Sequence, residues 1–218
     1  MNRTTSPRRG LELAVTIGLG GRTLLAIDAA IAPGEVLTVM GPSGSGKSTL
    51  LAWIAGFLPR EFKAQGRVWI DGADITEVAP EDRHFGLLFQ DPLLLPHLSV
   101  AGNLLFGLAP ETAGRRARRG AVDSALAEAG LEGFGDRDPA TLSGGQRARV
   151  ALLRTLLSKP RALLLDEPFS KLDTALKDQI RALVFDQANA RGLPVLLVTH
   201  DPLDAKAAAG RCIELTGP

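Results

Sequence analysis

The chain has 218 residues, enough for one sizeable domain whose core closes without disulfides, and its single cysteine, Cys212, has no internal partner. A formal net charge of +1 excludes the broad basic field that nucleic-acid binding leaves in a composition, so no nucleic-acid partner is expected. Residues 1–10 carry arginines without an apolar run behind them, which argues against a secretory leader and, with the lone thiol, for a cytoplasmic setting.

Short apolar runs predict strands at Leu11–Ile17 and Leu24–Ile31, with Gly20-Gly21 at hairpin spacing between them, and a third at Val36–Met40. The third runs straight into Gly41-Pro42-Ser43-Gly44-Ser45-Gly46-Lys47-Ser48-Thr49, and a helix-like stretch, Leu50 to Ala55, follows. This is the G-x-x-x-x-G-K-[ST] pattern in the strand-to-helix context that it needs. Glycines let successive N–H groups point into one small volume, and the helix adds the positive end of its dipole. Such a nest suits phosphate oxygens, with Lys47 reaching the β- and γ-phosphates and the Ser48 hydroxyl ligating Mg²⁺. A plain Gly/Ser turn would share these letters but not the flanking strand and helix.

Two further strands are predicted at Val68–Ile70 and Gly86–Phe89. Gln90 ends the second, where its amide can ligate Mg²⁺ through oxygen and hold water through nitrogen. Pro92 to Pro110 is uncharged and nearly long enough to span a bilayer, but its prolines, His97, Ser99 and Asn103 would leave polar groups unsatisfied in hydrocarbon. Any membrane association is therefore expected through a partner. From Asp91 to Ser158 the chain reads as almost wholly helical, with Val122, Ala125, Leu126 and Ala129 at helical spacing and Gly130 as a stop. Arg115, Arg116, Arg118 and Arg119 read as a solvated face.

Leu142-Ser143-Gly144-Gly145-Gln146 precedes another helical stripe, Val150, Leu153 and Leu157. Read alone it is also compatible with a helix cap. As a second anion-binding helix N-terminus it has no evident use in a chain with one phosphate loop, unless two copies pair head to tail and each covers the other's Lys47 loop. The apolar strand Ala162–Leu165 ends in Asp166-Glu167, at the edge where open α/β sheets hold ligands. Neighbouring strand-end residues point different ways, so Asp166 can face Mg²⁺ while Glu167 serves an attacking water. A helix striped by Leu176, Ile180, Leu183 and Val184 closes at Gly192 and Pro194. The buried strand Val195–Thr199 then brings His200 to the same edge, where a ring N–H can bridge phosphate and water. A last strand is predicted at Cys212–Leu215. The whole reads as one α/β domain, 1–218, with a nucleotide-binding core (1–90 and 159–218) that includes an N-terminal antiparallel β subdomain, and a helical subdomain at 91–158.

With these motifs in place the chain resembles, over nearly all its length, the ATP-binding subunit of ABC transporters: Walker A (Gly41–Thr49), Q-loop (Gln90), LSGGQ (Leu142–Gln146), Walker B (Leu163–Glu167) and switch His200 occur in the family's order. The resemblance implies a P-loop NTPase (RecA-like) core of the ABC ATPase type. It implies ATP with Mg²⁺, closure of a homodimer on ATP, hydrolysis with Glu167 on the water, and reopening. Ser170 to Asp173 corresponds to the D-loop, with Lys171 where a small residue is commoner. The family usually stacks adenine on an aromatic after its first strand. Here Leu19 or a neighbour occupies that place, which implies weakened ATP affinity and poor discrimination against GTP.

Phe89 to Asn103 looks like the segment of small-solute importers that receives a permease helix, with Leu93, Leu94, Leu95 and Leu98 expected in the groove. That kinship implies permease partners, a periplasmic solute-binding protein acting indirectly, and a place on the inner face of the cell membrane. With the chain ending soon after Leu215, the likeness is to short thiamine- or anion-uptake ATPases. The alternative of another class is a membrane-linked ABC switch of the cell-wall or lipoprotein-release type. A protein that binds ATP and barely hydrolyses it is disfavoured by Glu167 and His200.

Overall fold

A computed structural model describes residues 9–215, the side chain of Ala175 excepted. The N-terminal strands β1 (Leu11–Leu19) and β2 (Arg22–Ile31) form a hairpin. Its turn residues Gly20 and Gly21 both have positive φ, 57° and 81°, as a two-residue turn matched to strand twist requires. Leu11, Leu13, Val15 and Ile17 are buried while Thr16 faces solvent, the period-two pattern of a sheet with one wet face. After β3 (Val36–Met40) and α1 (Lys47–Ala55), β4 (Phe62–Ile70) joins the hairpin, and β5 (Ala73–Asp74) completes an antiparallel sheet in the order β2-β1-β4-β5. β4 is longer than the expected Val68–Ile70, because pairing with β1 extends back to Phe62 through a stretch whose inward positions, Ala64 and Gly66, are small and whose other side chains are polar and exposed, which gives only a faint apolar signal.

The second sheet is parallel, in the order β6-β7-β8-β3-β9, with β6 (Phe85–Leu88), β7 (Ala162–Asp166), β8 (Val195–Thr199) and β9 (Arg211–Glu214). The continuous apolar runs of β7 and β8 are buried on both faces. Ala162, Leu164, Leu196 and Val198 face a cluster shared with α1 and the antiparallel sheet. Leu163, Leu165, Val195 and Leu197 face Ile180 and Val184 of α5 (Thr174–Ala190) and Leu152 and Leu156 of α4 (Gly144–Leu157).

Residues 91–158 are less helical than expected. α2 (Val100–Gly107), α3 (Arg115–Glu128) and α4 are separated by irregular stretches rich in proline and glycine, and they enclose a core of their own that includes Val100, Leu104, Val122, Leu126 and Val150. Asn103, fully buried, pins the stretch before α2: its amide nitrogen donates to the carbonyls of Leu95, Leu98 and Ser99, and its oxygen accepts from the Leu95 N–H. α6 (Pro202–Ala208) precedes β9. Among the described residues no helix is long and apolar enough to cross a membrane.

Candidate active site

β3, β7 and β8 run in parallel register, Met40 beside Thr199 and Asp166 beside Val198, so the segments leaving their carboxyl ends meet at one edge. There the 41–49 loop, Asp166-Glu167 and His200 come together. α1 starts at Gly46, in the left-handed region at φ 88°, with no side chain capping its first N–H groups. A Cβ at Gly46 would also stand 2.8 Å from Leu24 Cδ2, so only glycine fits there. Lys47 is buried, and its ammonium donates to the carbonyls of Gly41 at 2.8 Å and Pro42 at 2.9 Å. The Ser45 hydroxyl is buried beside Gly41 without a hydrogen-bond partner. Ser43, Gly44, Gly46, Lys47, Ser48, Thr49 and Glu167 line a cleft of about 360 Å³. An uncapped helix end and an ammonium form a donor set that fits a polyphosphate.

Ser48 Oγ donates to Asp166 Oδ1 at 3.0 Å. Two oxygens that far apart match the edge of an octahedron with metal–oxygen distances of about 2.1 Å, so the pair fits Mg²⁺. Among the described residues there is no group of three or more His, Cys, Asp or Glu side chains that could hold a metal. Burial pushes the Asp166 carboxyl up from its ordinary value. The Ser48 hydrogen bond pulls it back, the Glu167 charge pushes it further up, and Lys47 lowers it.

Glu167 has a φ of 46°, the left-handed region that side-chain-bearing residues seldom occupy. Its N–H donates to the Val198 carbonyl at 2.9 Å, and its own carbonyl accepts from Ser170 Oγ at 2.9 Å, which fixes the turn. The carboxylate thereby meets His200, Oε1 lying 3.0 Å from Nδ1.

The anchor of His200 escaped the sequence reading. Thr199 Oγ1 accepts from the Asp201 N–H and donates to Asp204 Oδ2 at 2.7 Å. Asp204 is gripped by Arg181, whose Nε donates to Oδ1 at 2.7 Å and whose Nη2 bonds the same oxygen and, at 3.1 Å, Asp201. Lys177 completes the cluster at 3.4 Å from Asp201. The available signal was Arg181 beside the apolar stripe of α5. Arg83 was missed likewise: buried, it donates to the Trp53 and Ile54 carbonyls at the end of α1, and desolvation lowers its pKa.

Gln90 is placed elsewhere. β6 stops at Leu88, and Gln90 lies in an exposed bend that lines a second cavity with Gly144, Arg147, Phe169 and Lys171 instead of the Lys47 cleft. Lys171 ties that bend to the 170–173 loop by donating to Asp91 Oδ1 at 2.7 Å. The Ser143 turn forms a capping box: Ser143 Oγ accepts from the Gln146 N–H at 3.3 Å and Gln146 Oε1 accepts from the Ser143 N–H at 2.9 Å. A Cβ at Gly145 would strike Leu176 at 2.3 Å, whereas one at Gly144 would meet only open space. Of the four leucines expected in a docking groove, Leu93 alone is exposed, and Leu94 packs on the cores instead. Arg118 donates to the carbonyls of Leu105 in α2 and Thr112 in the connection that follows, and Arg119 pairs with Asp123 on α3 itself, so these two arginines of the cluster make contacts within this helical region.

The family model described as ABC transporter matches residues 24–170. The chain is 50% identical over 186 residues to the uncharacterized ABC transporter ATP-binding protein YnjD of Escherichia coli, covering 85% of each chain. It is 47% identical to the thiamine import ATP-binding protein ThiQ of Cereibacter sphaeroides, covering 88% of this chain and 82% of the relative. Identity to the Fe(3+) ions import ATP-binding protein FbpC of Streptomyces avermitilis is 42%, covering 92% of this chain and 57% of the relative.

Proposed function

Because the chain belongs to the ABC transporter family, as an importer-type subunit that binds and hydrolyses ATP, we propose that the cleft at the ends of β3, β7 and β8 is where that ATP is held and cleaved. The observation that carries this reading is the convergence of the Lys47 loop, the Ser48–Asp166 pair and the Glu167–His200 pair at one sheet edge. Backbone N–H groups of the loop and the Lys47 ammonium take the β- and γ-phosphates, giving up the Gly41 and Pro42 carbonyls. Ser48 and Asp166 would hold Mg²⁺, which would supply charge neutralisation on the transferring phosphoryl group. Glu167 orients the attacking water and accepts its proton, and His200 donates to the phosphoryl oxygen once its contact with Glu167 opens.

Two copies pair head to tail, so that Ser143, Gly144, Gly145 and Gln146 of one cover the phosphates on the other. The open space over Gly144 supports this arrangement. Gln90 reaches the metal or water only when its bend moves. The 91–158 segment acts as the helical unit of the domain, and Leu93 with Phe106, both strongly exposed, faces the permease. The import functions in the relatives' names favour solute uptake over a membrane-linked switch. A periplasmic solute-binding protein takes part indirectly, and the subunit sits on the cytoplasmic face of the membrane. The test is purification of the tagged chain from detergent-solubilised membranes in wild-type and Lys47→Ala forms. A multi-span permease should accompany both, with ATP turnover in the wild type only. A cell-wall or lipoprotein factor in place of the permease, or equal turnover in the variant, would overturn the reading.

A further inference from the structure

The two ends of the Lys47 cleft differ in chemistry. Among the described residues, every polar side chain lining it belongs to the 41–49 loop or to Glu167, and the remaining lining is Leu19, Leu24 and Phe62. Leu24 leans on the loop itself, its Cδ2 standing 2.8 Å from where a Gly46 Cβ would be. Leu19, the last residue of β1, is 45% exposed and is the direct antiparallel partner of Phe62, the first residue of β4. Directly opposed residues project from the same face of a sheet, so the Phe62 ring stands beside Leu19. Phe62 is half-buried, packed against the main core, and among the described residues it is the only aromatic in the lining of the cleft.

We propose that Phe62 is the platform for the base of the nucleotide, an assignment that rests on the ATP-site reading above. A flat apolar surface continuous with a phosphate nest matches a ligand that is charged at one end and aromatic at the other. Stacking on an aromatic side chain takes any base by its face. With no side-chain donor or acceptor at that end among the described residues, the base is held without its edge being read, which selects purine nucleotides for their larger ring and leaves adenine and guanine equivalent. The weak affinity expected from the absence of an aromatic on β1 is thereby offset from a strand that enters the sheet 43 residues later.

The experiment is binding to the whole chain of ATP and, separately, of inorganic tripolyphosphate, which engages the phosphate loop but has no base. Measurements cover the wild type, Phe62→Ala, Phe62→Leu and Phe62→Trp. Loss of the stacking face should weaken ATP by about 5- to 150-fold in Phe62→Ala and by less in Phe62→Leu, with Phe62→Trp restoring or exceeding wild-type affinity. Tripolyphosphate affinity should stay the same in all four. Unchanged ATP affinity in Phe62→Ala would overturn the assignment. So would a fall of ATP and tripolyphosphate in parallel in both Phe62→Ala and Phe62→Leu, since the ring would then be supporting the fold and not the base. A wild-type chain that binds neither ligand would instead refute the ATP-site reading itself.

Discussion

Replacing Arg181 by Met tests how His200 is held. The Arg181 side chain is 4% exposed and that of Asp204 3%, and their contact is the innermost of the cluster. Without the guanidinium, Asp204 keeps, among the described residues, only the Thr199 hydroxyl as a side-chain donor. Removing one member of a buried ion pair costs about 3–5 kcal/mol, because the other charge stays desolvated and unpaired. For a chain of this length each kcal/mol moves Tm by about 2–4 °C, so a fall of about 6–20 °C is expected by thermal unfolding. The double variant Arg181→Met/Asp204→Asn keeps an acceptor for Thr199 and removes the stranded charge, and it should regain half or more of the loss. ATPase activity measured well below either Tm should fall in the single variant, since the Thr199–Asp201 segment that carries His200 loses its anchor.

The acid limb carries a second readout. Burial raises the Asp201 carboxyl, but the Leu203 N–H, Lys177 and Arg181 together bring it below its ordinary value. A lowered carboxylate pKa contributes stability above the unfolded value of about 4, and that contribution is lost as pH falls through the folded value. It should shrink in Arg181→Met. A single variant within about 2 °C of wild type, or a double variant as unstable as the single, would refute the argument, since either outcome is incompatible with a stranded buried charge.

Glu167→Gln should keep ATP affinity, slow hydrolysis by at least about 100-fold and accumulate a dimer with ATP and Mg²⁺ in size-exclusion chromatography; wild-type turnover would remove Glu167 from its role. Gly145→Ala should cost about 1–3 kcal/mol in denaturant unfolding, because Leu176 must move aside, while Gly144→Ala should stay within about 0.5 kcal/mol of wild type and still impair ATP-driven pairing. Equal stability of the two variants would contradict the packing described. GTP should bind within a few-fold of ATP, as the apolar end of the cleft reads no base edge; a tenfold or larger preference in competition titrations would mean that backbone groups discriminate.

Contiguous signals were the legible ones. The 41–49 loop, the Asp166-Glu167 strand end and the buried runs of β3, β7 and β8 each carry their meaning within a few residues, and the parallel sheet follows from runs too apolar to tolerate a wet face. What depended on pairing across the chain was not legible. Phe62 opens a strand whose next inward positions are the small Ala64 and Gly66, between the charged or polar Lys63, Gln65 and Arg67, so its apolar alternation is faint and only the register with β1 places its ring beside Leu19. Gln90 was carried past its strand because β6 stops at Leu88, short of the apolar Phe89. Arg181, Asp201 and Asp204 resemble ordinary surface charges until α5 and α6 pack together and remove them from water.

The capping box at Ser143 has a thermodynamic consequence for whatever approaches it. Its two reciprocal hydrogen bonds order the turn when the chain folds, so Gly144 and Gly145 present their backbone with the entropy of fixing it already spent. The hydroxyl oxygen of Ser143 accepts from its own helix, leaving its proton free to point outward. A negatively charged partner therefore meets a ready surface that offers donors, and its binding energy goes into contact and not into folding a loop.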